Sequence, residues 1–350
     1  MAINPIHKKN QELQMGVLPM NNPRKKKPSW DFPEEKEKFE GKSNQSKRNL
    51  LVILQTYAEG NALPEHQKSQ RMVGNYHVSK DEVSSRCTLS LVNALNYALH
   101  KDRGLAIQLK IFDDGSDPAF HEKLNLILSF ANFQVNVEKL DGVGIMASMG
   151  VCYEFAKKNP DVNSGIVDRI YFTQDDFLHK EDSIHYMLMN YDHFSQCLGN
   201  YELTLSGEHN KRFFIQQNVQ IPCRIVEGLD QYWRTTPYSS QFCMLIGKDL
   251  FLKNYDLFEA FGKHEYNENA EDDTINKMYS ERGVWDFCPI TSSVINIQWE
   301  FAMPSYQSVD RLWSKFSFNT QKQEGDSNQV SSLRDMVASA NRKADMEVKS

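Results

Sequence analysis

Two short acidic clusters each follow directly after an apolar run of the chain. The first, Asp113-Asp114-Gly115-Ser116, comes after residues 107–112, and the second, Gln174-Asp175-Asp176, comes after residues 167–172. Both runs have the composition and alternation that are typical of a half-buried β-strand. When strands alternate with helices, the carboxyl ends of the strands form the edge at which ligands bind. The two clusters therefore predict a ligand site at the ends of two strands.

Residues 50–194 predict alternating strands and helices. A short apolar run at residues 50–56 predicts a buried first strand. Apolar residues at helical spacing predict a helix over about residues 82–100. The remaining elements are helices near residues 119–131, 145–158 and 180–194 and a third strand at residues 133–137. This order predicts an α/β fold with a mainly parallel central sheet and helices on both of its faces.

After residue 200, short strand-like runs replace the regular alternation. They predict a smaller mixed subdomain, and they lie at residues 202–205, 213–215 and 243–246. A helix is predicted over about residues 271–281, with Gly283 as its C-terminal cap. Residues 319–350 are predicted to be a polar tail, in which residues 331–347 form a marginal amphipathic helix.

Charge is distributed unevenly along the chain. The net charge of -6 argues against broad nucleic-acid binding, but residues 1–48 alone carry 11 Lys and Arg against 6 Asp and Glu. This segment is predicted to be a disordered basic tail. Its run Arg24-Lys25-Lys26-Lys27 is either a solvated surface or a weak peripheral contact with an anionic membrane.

The cysteine pattern and the hydropathy of the chain predict a cytoplasmic protein. The six cysteines are scattered without a C-x-x-C pair, which is typical of reduced core thiols rather than of disulfides. No apolar run approaches the roughly 18–20 residues that a membrane span requires. The N-terminus also lacks the apolar core of a signal peptide.

Each acidic cluster has a chemical and a purely structural interpretation. The carboxylates of the first can accept hydrogen bonds from a ribose or a base, or they can form an Asx turn with a helix cap at Ser116 or Asp117. Asp175 and Asp176 repel each other unless solvent, a helix cap or a Mg²⁺ or Mn²⁺ ion on a diphosphate relieves the repulsion. A third cluster, residues 271–273, provides either a general base or the acidic start of a helix.

Together the three clusters resemble the family-2-like glycosyltransferases of the GT-A fold. The first is similar to the family's D-D-G-S motif, and residues 86–95 resemble the family's first helix. Residues 142–149 resemble its G-x-x-x-A-x-N stretch, with Met149 where asparagine is common. The second cluster stands in the place of the metal-binding D-x-D motif, with Gln174 replacing the first acid.

The resemblance covers about residues 50–300 and implies roles for individual residues. It implies that Mn²⁺ or Mg²⁺ binds to Asp176 and Asp175, and that Asp272 is the general base, with Asp273 and Glu271 beside it. It implies that residues 49–200 bind the nucleotide sugar and residues 201–318 bind the acceptor. The implied nucleotide-sugar contacts are Thr56, Tyr57, Asp113, Asp114 and Asp175.

Arg234 is a further candidate because of its chemistry. Trp233 and Arg234 are predicted to lie in a loop, where the guanidinium binds a phosphate bidentately and the indole stacks on a sugar. The alternative is a packed Trp233 beside a surface arginine.

The function implied is a hexosyltransferase-type glycosyltransferase. It moves a single sugar from a nucleotide-sugar donor to a glycan or another hydroxyl acceptor, with metal dependence and inversion at the anomeric carbon. A processive synthase is disfavoured because the Q-x-x-R-W pattern is absent. One alternative is a catalytically degenerate GT-A-like binding protein. Another is a sugar-nucleotide pyrophosphorylase, which residues 55–60 oppose because they do not form a glycine-rich basic loop.

Overall fold

The computed structural model describes residues 48–57, 72–73, 76–197, 202–208, 224–236, 243–265, 270–297 and 306–316. All of them belong to one compact unit, Phe32–Ser350. The first strand begins at Arg48, so this residue belongs to the fold rather than to the predicted tail. The rest of that tail, the C-terminal tail with its marginal helix, and the strand predicted at residues 213–215 lie outside the described residues.

A mixed sheet of nine strands forms the centre of the described part of the chain. Its strands are β1 (Arg48–Thr56), β4 (Leu105–Asp113), β5 (Gln134–Lys139), β6 (Arg169–Gln174), β8 (Leu203–Ser206), β9 (Arg224–Glu227), β10 (Tyr232–Thr236), β11 (Met244–Gly247) and β12 (Trp285–Pro289). They lie in the order β5-β4-β1-β6-β11-β8-β12-β10-β9. Pairing is parallel from β5 to β6 and between β8 and β12, and β11 and β10 run in the opposite direction. The predicted α/β class with a mostly parallel sheet is confirmed.

Two short strand pairs, which the sequence patterns did not predict, flank this sheet. β2 (Met72–Val73) pairs with β3 (Tyr76–His77), and β7 (Phe177–His179) pairs antiparallel with β13 (Val294–Asn296). The second pair starts directly after the acidic cluster that ends β6. Just beyond β13, the Ile297 amide donates to the carbonyl oxygen of Asp176 at 2.8 Å. Residues distant in sequence therefore brace the second acidic cluster.

Helices cover both faces of the sheet, as predicted. They are α1 (Lys80–Lys101), α2 (Pro118–Leu128), α3 (Ile145–Lys158), α4 (Pro160–Asn163), α5 (Ser183–Cys197), α6 (Lys248–Lys253), α7 (Tyr255–Gly262), α8 (Ala270–Asp273), α9 (Lys277–Ser280) and α10 (Tyr306–Lys315). Leu51 and Ile53 of β1 pack with Met149 of α3 in one core cluster. On the opposite face, α1 contacts the side chain of Asp175 just beyond the end of β6. Neighbouring residues of a strand point to opposite faces, so the side chains of one strand contact the two helical layers alternately.

The helix predicted over residues 271–281 is instead two short helices, α8 and α9. Two side chains near the break between these helices form local hydrogen bonds. Thr274 Oγ1 donates to the Ala270 carbonyl, and Asn276 Nδ2 donates to Asp272 Oδ1 at 2.7 Å. Thr and Asn favour such local bonds over continuous helix. Gly283 has a φ of 74°, but it lies beyond the last helical residue.

The loop predicted at Trp233 and Arg234 is strand β10. Trp233 is 1 % exposed, and its indole nitrogen donates to Asp230 Oδ1 at 3.1 Å. The hydrogen bond pairs the indole N–H inside the protein. Because the ring is buried, neither of its faces is open to a sugar. Arg234 is also buried, with 4 % exposure. The packed tryptophan of the alternative interpretation is correct, while the surface position for the arginine is wrong.

None of the five cysteines in the described segments forms a disulfide, and four of them are buried. Among the described residues, no helix combines the length and the apolar composition that a membrane span requires.

The direction of the chain connections reverses at one position of the sheet. From β1 the chain continues to β4 and β5 on one side, and then it returns to form β6 on the other side of β1. The two connections leave in opposite directions, and open α/β sheets usually bind ligands in a crevice at such a position, which here is outside the carboxyl ends of β1 and β6. Thr56 and Tyr57 follow from β1 at this point, and Gln174, Asp175 and Asp176 follow from β6.

Helices α3 and α7 cross where Gly150 of one contacts Gly262 of the other, and this close approach leads to a prediction about stability. A Cβ atom on Gly262 would lie 2.4 Å from the Cα atom of Gly150. Backbone cannot give way as a flexible side chain can, so Gly262→Ala is expected to lower the free energy of unfolding by about 1–3 kcal/mol. Urea unfolding measures this loss. Ala260→Ser, at an exposed position of α7, is the control. Equal stabilities for the two variants would show that the crossing tolerates a methyl group.

Candidate functional site

The ends of β1 and β4 are joined by polar side chains. Thr56 Oγ1 donates to Asp113 Oδ1 at 2.8 Å, and the Asp114 amide donates to the Thr56 carbonyl at 2.9 Å. The second oxygen of Asp113 accepts from the Ser116 amide at 3.3 Å and lies 3.4 Å from His121 Nε2. Thr56 and Asp113 are both fully buried. Their side chains therefore hold two strand ends together, in the Asx-type arrangement that was the structural interpretation of this cluster.

Asp114 connects two loops at the same edge of the sheet. Its carboxylate oxygens accept from the amides of Val143, at 2.7 Å, and Gly144, at 2.8 Å. Gly144 is the N-cap of α3 and has a φ of 91°, a conformation that glycine adopts without steric cost. The negative charge also lies at the positive end of a 14-residue helix. Asp114 thus fixes the start of α3 from the adjoining loop, and its neighbour Asp117 caps α2.

Asp175 is buried and bonded on both of its oxygens. Oδ1 accepts from the Lys80 ammonium group, while Oδ2 accepts from Ser84 Oγ and from the Tyr57 amide at 2.9 Å. Lys80 and Asp175 are both less than 10 % exposed. These contacts place a lysine where a metal ligand was expected, so Asp175 does not fit the metal-binding role.

Gln174 also has a structural partner. Its Nε2 atom donates to Gln55 Oε1 at 2.8 Å, and Gln55 in turn donates to Ser148 Oγ and to the Ile145 carbonyl. The amides link β6, β1 and the first turn of α3 beneath the crevice. An acid at position 174 could not donate to Gln55. The residue that departs from the D-x-D pattern is therefore part of a bonded chain of side chains.

Asp176 and Glu208 are two buried acidic residues that lie close enough for their charges to interact. Glu208 follows β8 and was missed by the sequence patterns. Its Oε1 accepts from the Asn296 amide at 3.2 Å. Burial raises the pKa of Glu208 to about 8, the amide of Asn296 opposes this rise, and the nearby charge of Asp176 adds to it. Glu208 is therefore mostly protonated at neutral pH.

The raised pKa of Glu208 predicts a pH-dependent stability. Its ordinary value is 4.5, so between about pH 4.5 and 8 the folded chain holds a proton that the unfolded chain has lost. The free energy of unfolding should fall as pH rises through this window, by about 1.4 kcal/mol per pH unit at most. Glu208→Gln is expected to flatten the curve and to be more stable than the wild type at pH 8.

Urea unfolding at pH 5, 6, 7 and 8 measures this difference. Glu202→Gln, at a partly exposed residue that pairs with Lys253, is the control. Curves for wild type and Glu208→Gln that run parallel from pH 5 to 8 would contradict the assignment.

The third acidic cluster lies on α8, at the surface. Asp272 is exposed, and Asn276 Nδ2 orients its carboxylate. Asp273 is exposed as well, with Oδ2 3.6 Å from His264 Nε2. Glu271 is half-buried. Burial raises the pKa of the Tyr153 hydroxyl on α3, and the negative charge of Glu271 adds to this rise. Of the three, Asp272 combines solvent access with a side chain held by a neutral donor, as a base needs.

Arg234 lies apart from the crevice. β10 is four strands from β6, and neighbouring strands lie about 4.8 Å apart, so roughly 19 Å separate the two. Arg234 Nη2 lies 3.7 Å from Cys288 Sγ. It belongs to a buried polar cluster around Asp286, whose carboxylate accepts from Thr204, Ser206 and Cys288. Burial raises the pKa of the Cys288 thiol well above its ordinary value, and Asp286 raises it further. This placement opposes a phosphate contact by Arg234.

Whether a divalent metal ion could bind at these strand ends depends on which carboxylates are able to coordinate it. Within the described segments, no group of three or more His, Cys, Asp or Glu side chains converges as a metal site. Mg²⁺ is often held by only one or two carboxylates together with substrate phosphates. Asp176, at the end of β6, fits that smaller role.

Comparisons with known proteins give weak likenesses. No protein-family model matches the chain, and no curated protein sequence matches it. A structure of Staphylococcus aureus TarS, residues 1–349, has a TM-score of 0.40 and 10% identity, covering 79% of this chain and 74% of that one.

A second solved structure is a Bacillus anthracis protein named as a glucose-1-phosphate thymidylyltransferase, in complex with sucrose. Its TM-score is 0.36 and its identity 14%, covering 78% of this chain and 98% of that one. Both TM-scores lie below 0.5, and the functional assignment therefore depends on the geometry of the site.

The sequence patterns missed Lys80, Ser84 and Glu208. Lys80 and Ser84 are four residues apart, one helical turn, and so share a face of α1. That spacing could have shown that they act together, but their partner lies more than 90 residues away. Glu208 follows an apolar strand, as the two acidic clusters do, and this signal could have found it.

Proposed function

We propose that the chain is a nucleotide-sugar-dependent glycosyltransferase of the GT-A type, which moves one sugar to an acceptor hydroxyl. The observation that carries the proposal is the reversal of the connections at β1 and β6, which places Tyr57, Gln174, Asp175 and Asp176 at the strand ends beside the expected crevice. Such a crevice is the usual ligand site of an open α/β sheet. The order of the acidic motifs along the chain supports the same class.

In this proposal the residues at the crevice bind the donor, while Asp113 and Asp114 shape its walls. Thr56 and Tyr57 contribute the end of β1 to the nucleotide site. Asp176 would hold a Mn²⁺ or Mg²⁺ ion, which supplies positive charge to the diphosphate. Asp113 and Asp114 act indirectly, since their oxygens bind protein donors that fix the neighbouring loops.

Asp272 is the proposed general base. It takes the proton from the acceptor hydroxyl as the oxygen attacks the anomeric carbon, while the bond from that carbon to the diphosphate breaks. The nucleoside diphosphate leaves with the bonding electrons. Direct displacement from the opposite side inverts the anomeric configuration. Asn276, which donates to Asp272 Oδ1, holds the carboxylate in place for this step.

One observation favours a second candidate, a GT-A-like protein that binds a ligand without catalysis. The carboxylates of Asp113, Asp114 and Asp175 all accept hydrogen bonds from the protein itself. Such contacts are expected in a site whose carboxylates hold the protein backbone in place but do not take part in sugar transfer. Nucleotide binding without sugar transfer would identify this candidate.

A thermal-stability screen tests the proposal. Unfolding is followed with UDP, GDP, CDP, ADP and dTDP, each with and without Mn²⁺. One nucleoside diphosphate is expected to stabilise the chain, since a ligand at 100 times its Kd adds about 2.7 kcal/mol to the free energy of unfolding. Asp176→Asn should lose the Mn²⁺-dependent part of the shift, and Asp249→Asn, at an exposed residue, should retain it. The absence of any shift in the wild type would refute the proposal.

A further inference from the structure

A buried lysine lies beside the second acidic cluster. Lys80 is the first residue of α1, and its ammonium group donates to Asp175 Oδ1. Both side chains are less than 10 % exposed. Removing one partner of a buried ion pair leaves the other charge without compensation, so each residue depends on the other. The pair thus places a fixed positive charge next to the end of β6.

Asp175, which Lys80 contacts, also binds the end of β1. Its other oxygen accepts from Ser84 Oγ and from the main-chain amide of Tyr57. Three elements therefore meet at one carboxylate, namely the first two turns of α1, the end of β6 and the end of β1. Tyr57 is the residue at which β1 opens into the crevice. Its main-chain position depends on a carboxylate that Lys80 holds in place.

The two adjacent aspartates differ in what surrounds them. Asp175 is held by a cation and two neutral donors, whereas Asp176 lies beside the carboxyl group of Glu208. A divalent ion at Asp175 would meet the repulsion of the Lys80 ammonium group.

We infer that Lys80 is a positioning residue for donor binding, which acts through Asp175 on the main chain of Tyr57, and that Asp175 is not a metal ligand. The inference rests on the proposed function, because it assigns these residues to the donor site. It divides the second acidic cluster into a positioning carboxylate, Asp175, and a metal-binding carboxylate, Asp176.

Two measurements on four variants test the inference. Lys80→Met, Asp175→Asn and Asp176→Asn probe the cluster, and Lys158→Met, at an exposed residue of α3, is the control. Hydrogen exchange of the peptide that contains Tyr57 reports on the end of β1 without any ligand. The Kd of the nucleoside diphosphate and the Mn²⁺ concentration for half-maximal stabilisation are then measured by thermal shift.

Lys80→Met and Asp175→Asn are expected to speed exchange at Tyr57 and to weaken nucleotide binding by about ten- to a hundredfold, because the site loses its geometry. Their half-maximal Mn²⁺ concentration should match that of the wild type. Asp176→Asn should raise this concentration and leave exchange at Tyr57 unchanged. If Lys80→Met does not fold, Asp175→Asn and the double variant Lys80→Met/Asp175→Asn, which removes both charges, provide the same comparison.

Each other outcome has a distinct meaning. A raised Mn²⁺ requirement in Asp175→Asn, equal to that of Asp176→Asn, would make Asp175 a metal ligand and overturn the inference. Unchanged exchange and unchanged nucleotide affinity in Lys80→Met would also overturn it, and the proposed function would stand. A wild-type chain that binds no nucleotide would refute the proposed function and the donor role of Lys80 together.

Discussion

Asp272→Asn is expected to lower the turnover number of sugar transfer by about 10²–10⁴-fold, because an amide cannot accept the proton of the acceptor hydroxyl. The nucleotide Kd should stay close to that of the wild type, since the substituted group acts on the acceptor. The fold should also be retained, because Asp272 is exposed and accepts a hydrogen bond from Asn276 on the same segment. Transfer to an acceptor and thermal shift with the nucleotide are measured on the same preparation.

The adjoining Asp273 provides a matched control for this experiment. It is also an exposed aspartate of α8, and its contact is with His264 rather than with Asn276. Asp273→Asn should therefore retain most of the activity. Unchanged turnover in Asp272→Asn would remove the assignment of the base. A large loss in Asp273→Asn alone would move the assignment by one residue.

Asp286→Ala is expected to lower the free energy of unfolding by about 3–5 kcal/mol, the largest loss of stability among the variants considered. The carboxylate is fully buried and accepts from the hydroxyls of Thr204 and Ser206 and from the thiol of Cys288. Removing a buried acceptor leaves its donors without a partner, and each such donor costs about 1–3 kcal/mol. The cluster joins β8 and β12, so its loss weakens the second half of the sheet.

Urea unfolding of Asp286→Ala and Asp249→Ala makes the comparison. Asp249 is 88 % exposed in its side chain and contacts its neighbour Lys248, so its removal should change stability by less than about 0.5 kcal/mol. Asp286→Asn retains an acceptor oxygen and should fall between the two. A loss for Asp286→Ala below 1 kcal/mol would mean that solvent enters the cluster and satisfies the donors.

The elements of the first half of the chain were predictable because their signals are local. The helix at residues 145–158 has the predicted bounds, and the strand at residues 50–56 differs only in starting at Arg48. The second half was less predictable. Trp233 and Arg234 have no apolar alternation around them, although the run Tyr232–Thr236 is rich in the aromatic and β-branched residues that strands favour. Residues 271–281 have helical propensity, but the side chains of Thr274 and Asn276 bond locally and divide the helix.

The sequence by itself determined the class of the fold and the position of the acidic clusters at strand ends. Apolar periodicity and motif spacing are properties of neighbouring residues, which the chain carries before it folds. Only the tertiary structure decided what each carboxylate does, because that depends on partners brought from distant segments. Lys80 reaches Asp175 across 95 residues, and Thr204 reaches Asp286 across 82. These contacts bury Asp175 against Lys80 and place Arg234 in the core, whereas Asp272 remains at the surface.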